Sequence, residues 1–216
     1  MDAPIQLADP RLQARLSAVI DVEGKIPRAL DELSSVRDRR VLLLDAAARG
    51  HLARALRDLG ARLTTRRSMR LEGLTPASFD LLIVCWRGFD GDGPEMAALQ
   101  GAAGVLAPGG RIVALQAYGR DDLTPLLADP GREARLVAWS HRLGPLLTSG
   151  WRVRTLHCWL SFGSLRGARG FLGAAFPATG PQVAAELRRP RLSFKVGLYH
   201  RSVGAAGPAA GQASSG

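Results

Sequence analysis

The sequence predicts an α/β fold, a doubly wound, mostly parallel sheet with an antiparallel last strand. Short apolar runs, Val41 to Leu44 and Phe79 to Cys85, alternate with stretches of helical periodicity. These runs are continuous rather than alternating, which suits strands covered on both faces. Two later segments, Trp151-Arg-Val-Arg-Thr-Leu156 and Phe194-Lys-Val-Gly-Leu198, alternate instead. That pattern belongs to edge or antiparallel strands with one wetter face.

The elements follow in order. Asp9-Pro10 offers a side-chain cap and a proline at the first helical position. Leu12, Leu16, Val19 and Ile20 then recur at helical spacing, and Ile26-Pro27 starts a second short helix with Leu30 and Leu33. These helices, in residues 1–40, are expected to pack on the main domain, 41–203. After the strand Val41 to Leu44, residues 51–59 read as a helix with Leu52, Ala55, Leu56 and Leu59 on one stripe, closed by Gly60. Ala61 to Thr65 is the second strand. Only a short segment, Arg66 to Ser78, precedes the strand Phe79 to Cys85. A helix is expected from Pro94 to Leu106, then a turn at Pro108-Gly-Gly110 and a strand from Arg111 to Ala117. Asp129-Pro130 repeats the capped start, for a helix to Ser149 closed by Gly150. The late strands are Trp151 to Phe162 and Leu192 to His200, separated by an insert with helical stretches near Ser164 and Pro181. The Gly/Ala/Ser-rich residues 204–216 read as a disordered tail.

Composition bounds the function. The 216 residues suffice for one well-packed α/β domain. There is no apolar run of 18 residues, so no membrane span is expected. The start, Met1-Asp-Ala-Pro-Ile-Gln, lacks the features of a signal peptide. Cys85 and Cys158 sit in apolar strands and read as buried thiols of a reducing compartment, so a cytoplasmic location is expected. No Cys/His cluster has metal-ligand spacing. The charge of +10 comes from 27 arginines and two lysines, Lys25 and Lys195. Such a balance suits an anionic partner, RNA included, but the arginines are scattered and not interleaved with aromatics.

In a doubly wound sheet the ligand crevice lies beyond the carboxyl ends of the strands. This directs attention to Asp45 to His51, Arg66 to Glu72, Cys85 to Asp92 and Gln116 to Asp122. Leu44-Asp45 through Gly50-His-Leu-Ala-Arg-Ala-Leu56, Phe79-Asp-Leu-Leu-Ile-Val84 and Leu106-Ala-Pro-Gly-Gly-Arg-Ile-Val113 follow one another in order. In that layout, residues 35–160 resemble the class I methyltransferases that use S-adenosylmethionine. The three pieces are similar to that family's first motif, its fourth strand and the turn into its fifth. The resemblance implies a cofactor site at Asp45, Ala47, Arg49, Gly50, Arg67 and Cys85. It implies a substrate site at Trp86, Tyr118 and Asp121, with no particular residue assigned to catalysis.

The departures fall where the family binds its cofactor. Ala47 and Arg49 stand at or near positions where the family has glycines, which let backbone approach the cofactor closely. Arg67 stands about where an acid accepts the ribose hydroxyls, and a guanidinium has no acceptor. Glu72 is an alternative acid if its loop folds back. The third strand and its helix are truncated between Arg66 and Ser78. Arg49 and Arg67 together suggest an anion site as an alternative, whereas a reductase reading fails because Ala46-Ala-Ala-Arg-Gly-His51 is not G-x-G-x-x-G. Tyr118 and Asp121 are candidates to orient or deprotonate an acceptor, and His51 is a candidate base or a helix-start residue. The resemblance therefore implies methyl transfer from S-adenosylmethionine to a small molecule or RNA. The alternative is a catalytically inactive methyltransferase-like scaffold, binding a protein partner or RNA.

Overall fold

The computed structural model describes residues 3–48, 50–86, 101–127 and 129–203. Its elements are α1 (Pro10–Val19), α2 (Lys25–Ser34), β1 (Arg40–Leu44), α3 (His51–Asp58), β2 (Arg62–Arg66), β3 (Phe79–Cys85), β4 (Leu106–Ala117), α4 (Pro130–Ser140), α5 (Pro145–Thr148), β5 (Arg152–Ser161), α6 (Leu165–Ala175), α7 (Gly180–Glu186) and β6 (Arg191–Ser202). Short 3-10 turns occupy Ala102–Val105 and Thr124–Leu127.

One six-stranded sheet has the order β2-β1-β3-β4-β6-β5. The β1–β2, β1–β3 and β3–β4 pairs are parallel, while β6 runs antiparallel to both β4 and β5. The expected sheet with a single reversed last strand is the one observed. Strand parity explains the continuous apolar runs. Val41, Leu43, Leu81, Ile83, Val113 and Leu115 pack in one buried cluster with Leu16, Leu30, Leu56 and Phe171 from α1, α2, α3 and α6. Leu42, Leu44, Leu82, Val84, Ile112 and Ala114 pack in the other, with Leu146, Trp151 and Tyr199. Adjacent strand residues point to opposite faces, so burial on both faces demands apolar side chains at every position.

The Asp9 carboxylate accepts from the Arg11 and Leu12 amides at 2.7 and 3.3 Å, capping α1 as the sequence predicts. Several boundaries differ from expectation. The stretch 130–149 is two helices, because the chain breaks at Gly144-Pro145. Of the helix expected from Pro94 to Leu106, residues 94–100 lie outside the described residues. Beyond them Ala102–Val105 is a 3-10 turn and Leu106 already opens β4. The Pro108-Gly-Gly110 turn lies inside β4 as an irregularity opposite Phe79 and Leu81. Gly109 there has φ +76°, and a Cβ on Gly110 would stand 2.8 Å from the Ala107 carbonyl oxygen. The late strand β6 is internal rather than an edge, and Phe194, Val196, Leu198 and Tyr199 are all buried. Residues 67–78 hold no strand or helix, so β2 forms the sheet edge.

No helix among the described residues is long and apolar enough to cross a membrane. No group of three potential metal ligands occurs among them either.

Candidate functional site

The strand order places a topological switch between β1 and β3. The chain leaves β1 toward β2 on one side, and β3 pairs with β1 on the other. Crevices in doubly wound sheets open at such points, beyond the carboxyl ends of the strands. The first residue after each strand is in the left-handed region: Asp45 at φ +54° and Trp86 at φ +58°. Aspartate tolerates that conformation, but for tryptophan it costs of order 1–2 kcal/mol. Both turns are tied down by backbone bonds. Ala46 donates to the Arg66 carbonyl at 3.2 Å, Gly50 to that of Ala47 at 2.9 Å, and Trp86 to that of Leu115 at 3.0 Å.

Two cavities open at this end of the sheet. The first, of about 500 Å³, is lined by Asp45, Ala46, Ala47 and Arg67 on one side, and by Gln6, Leu7, Ala8, Pro10, Gln13 and Ser17 on the other. Asp45 is 7% exposed and contributes a carboxylate, and Arg67 contributes a guanidinium. The cleft thus offers opposite charges and falls in the ordinary size range of ligand sites, about 300–1,000 Å³. That set fits a nucleoside bearing an amino-acid group, whose ammonium and carboxylate need one partner of each sign. Among the described residues Asp45 is the only acid in the lining; Glu72 is exposed, and its backbone carbonyl accepts from Arg66 at 3.2 Å.

The second cavity lies at the ends of β3 and β4. It is lined by Pro4, Ile5, Trp86, Gln116, Ala117, Asp121, Leu123, Thr124, Leu127, Arg135, Leu136, Trp139, Phe194, Lys195 and Tyr199. Its 90 Å³ accessible to water centres holds roughly six to nine waters, at about 10–15 Å³ each. Residues 4–8 therefore cross the carboxyl end of the sheet, contributing first to this pocket and then to the cleft. Ile5 anchors the crossing in the core.

The structure brings together several of the sequence-predicted residues. Asp45, Ala47 and Arg67 line the cleft, and Gly50 caps the start of α3 beside it. Arg49 lies outside the described residues, as does the loop from Arg87 to Gly93. Cys85 is buried in the core at the end of β3. Trp86 and Asp121 both line the second pocket, and Tyr118 packs against its Tyr199, ring centroids 6.3 Å apart.

Asp121 is held on every side. One carboxylate oxygen accepts from the Lys195 amide at 2.8 Å, the other from the Leu123 amide at 3.0 Å and the Thr124 hydroxyl at 3.3 Å. Burial raises its pKa above the usual carboxylate value, and these donors partly oppose the shift. Asp121 therefore ties the β4–β6 end together. Tyr199 is pushed up to about 12, mainly by burial, so its phenol stays neutral. It donates to the Trp139 carbonyl at 3.3 Å.

His51 opens α3 on the other flank. Asp21 lies nearby, its pKa raised by burial and lowered in part by the Ile26 and Lys25 amides. Cys158, fully buried beside Asp21, has a thiol pushed up to about 12, first by burial and then by that carboxylate. A thiol in that state is not a nucleophile.

Sequence reasoning missed Lys195, Trp139 and residues 4–8. The scarcity of lysine was the available signal for the first. For the others there was none, since their destination depends on long-range packing.

No protein-family model matches the chain, and no curated protein matches it by sequence. The fold does match solved structures. It is similar to the YcgJ protein from Bacillus subtilis at 13% identity and TM-score 0.50, covering 84% of this chain and 98% of that one. The MccD protein matches at 8% identity and TM-score 0.50, covering 81% of this chain and 96% of that one. A S-adenosylmethionine-dependent methyltransferase from Geobacter sulfurreducens, solved with S-adenosyl-L-homocysteine, matches at 15% identity and TM-score 0.47. That match covers 91% of this chain and 100% of the other.

Proposed function

We propose that this chain, which has the class I methyltransferase fold, binds S-adenosylmethionine in the 500 Å³ cleft and methylates a small molecule held in the adjoining pocket. The supporting observation is the placement of two cavities side by side at the carboxyl end of the sheet, one lined by Asp45 and Arg67 and one with Trp86 and Trp139 on its wall. When bound, the cofactor supplies an electrophilic methyl group on a sulfonium. The protein's own contribution is binding and orientation, which can lower a bimolecular barrier by about 7–11 kcal/mol. Asp45 faces the ligand's ammonium, Arg67 on the same side supplies a cation, and α1 with residues 6–8 forms the opposite wall. Trp86, whose backbone is fixed on Leu115, forms the wall on the acceptor side. A small molecule is favoured over RNA because the arginines are scattered along the chain and not interleaved with aromatics.

A second reading rests on its own observation. Arg67 replaces the ribose acceptor, and residues 67–78 contain no strand or helix where the resemblance implies an adenine wall. A scaffold that has lost its cofactor would have these features.

Calorimetric titration with S-adenosylmethionine and S-adenosylhomocysteine separates the two. The Asp45→Asn variant keeps a side chain suited to φ +54° while removing the charge. A charge-assisted hydrogen bond contributes about 1.5–3 kcal/mol, so the variant should bind about tenfold to a hundredfold more weakly. Absence of binding to either ligand at about millimolar concentration refutes the enzyme reading and leaves the scaffold.

A further inference from the structure

The acceptor pocket has a chemical character that points to a ligand class. This deepens the reading above for the same pocket, but it does not depend on the cofactor. The chain holds only four Trp, two Tyr and six Phe, yet Trp86, Trp139, Phe194 and Tyr199 all line this pocket; Trp86 and Trp139 are half-buried, while Phe194 and Tyr199, each 1% exposed, back the wall from the core. Flat aromatic walls favour a flat aromatic guest, through area burial and offset stacking. Room for about six to nine waters corresponds to roughly 180–270 Å³ of liquid volume, the size of one or two rings.

The charges on the lining are unbalanced. Asp121 is the one acid among the described lining residues, and both carboxylate oxygens are committed to the Lys195 and Leu123 amides and the Thr124 hydroxyl. Two cations, Arg135 and Lys195, share the wall. Arg135 has a loose partner in Asp129 at 3.7 Å. Lys195 has no side-chain hydrogen bond or ion pair among the described residues. In contrast, the other lysine, Lys25, meets Glu23 at 2.8 Å and the His157 carbonyl at 3.0 Å. The Lys195 backbone is clamped from both sides. Its amide donates to Asp121 at 2.8 Å, and its carbonyl accepts from the Tyr118 amide at 3.1 Å. The stem therefore starts from a fixed point on the pocket wall and carries a mobile point charge with three donors. Lys195 is half-buried, and its ammonium, without a partner among the described residues, is completed by an anionic ligand group.

We propose that this pocket takes a planar aromatic carboxylate of one or two rings, with Lys195 holding the carboxylate and the aromatic walls holding the ring. Lys195 acts as a specificity-determining residue.

The test is calorimetric titration of the full chain, without cofactor, using 4-hydroxybenzoate and 6-hydroxy-2-naphthoate, each against its own carboxamide. At least one acid should bind wild-type protein ten or more times more tightly than its amide, and added salt should weaken the acid alone. Lys195→Gln should bring the acid to the level of the amide and leave the amide unchanged. The comparison of acid with amide on wild-type protein needs no variant to fold. Absence of binding by both acids, equal binding of acid and amide, or equal losses of both in Lys195→Gln overturns the proposal. Protein that binds the acid but not S-adenosylmethionine keeps this inference and loses the methyltransferase reading, and the reverse result loses this inference alone.

Discussion

Replacing Gly197 by alanine tests whether the tyrosine pair behind the acceptor pocket is packed as tightly as its geometry requires. Gly197 lies in β6, opposite Gln116 of β4 and Thr155 of β5. An added Cβ would stand 2.9 Å from Cε2 of Tyr199 and 3.0 Å from Cδ2 of Tyr118. Both distances are several tenths of an ångström inside ordinary carbon–carbon contact, about 3.5–4.0 Å. The Tyr199 ring does not yield easily. Tyr199 is 1% exposed, and its hydroxyl is bonded to the Trp139 carbonyl at 3.3 Å. Overpacking of this kind costs about 1–3 kcal/mol. At about 2–4 °C per kcal/mol for a chain of this length, the melting temperature should fall by roughly 2–12 °C. Gly170 on α6 is the control, being exposed with nothing within 4 Å of its virtual Cβ. Gly170→Ala should gain about 0.4–1 kcal/mol through the unfolded chain. Differential scanning calorimetry of the three proteins in one buffer reads both effects. If Gly197→Ala melts at or above wild type, or Gly170→Ala loses as much, the steric reasoning is wrong.

Two further outcomes follow from the buried groups. His200 is paired in the sheet with Val113 of β4 and Arg152 of β5, and its pKa is lowered, first by burial and then by the charges of Arg111 and Arg152. A histidine with a depressed folded pKa contributes stability above its unfolded value of about 6.5 that is lost as pH falls through the folded value. Urea midpoints should therefore drop between about pH 7.5 and 5.5, and less so in His200→Gln; equal drops would exclude His200 as the cause. Cys85 and Cys158 are 1% and 0% exposed, and the Cys158 thiol is pushed up to about 12. Both should react with a disulfide reagent at pH 8 only as fast as the native protein opens, and prompt labelling of either would contradict the packing.

The sequence by itself determined the sheet. Val41 to Leu44 and Phe79 to Cys85 are apolar at every position because both faces of these strands are covered, and that requirement is written locally. The Asp9 cap, the glycine ending α3 and the single reversed strand are local signals of the same kind. The break at Gly144-Pro145 was also visible as a breaker pair, but the apolar periodicity through Leu143 and Leu146 masked it. The tight turn there admits only glycine, since a side chain on Gly144 would strike the Trp139 carbonyl five residues back.

The site divides in the same way. Asp45, Ala47 and Arg67 were legible because they follow strands, and strand ends in a parallel sheet converge on one crevice. The tertiary structure alone decided that residues 4–8 cross this end of the sheet between two cavities. It also decided that Lys195, from a strand far along the chain, shares one pocket lining with Trp86 and Trp139. Periodicity records which face of an element is buried, whereas the meeting of distant segments depends on how whole elements pack. That packing positions both the charge at Lys195 and the walls around it.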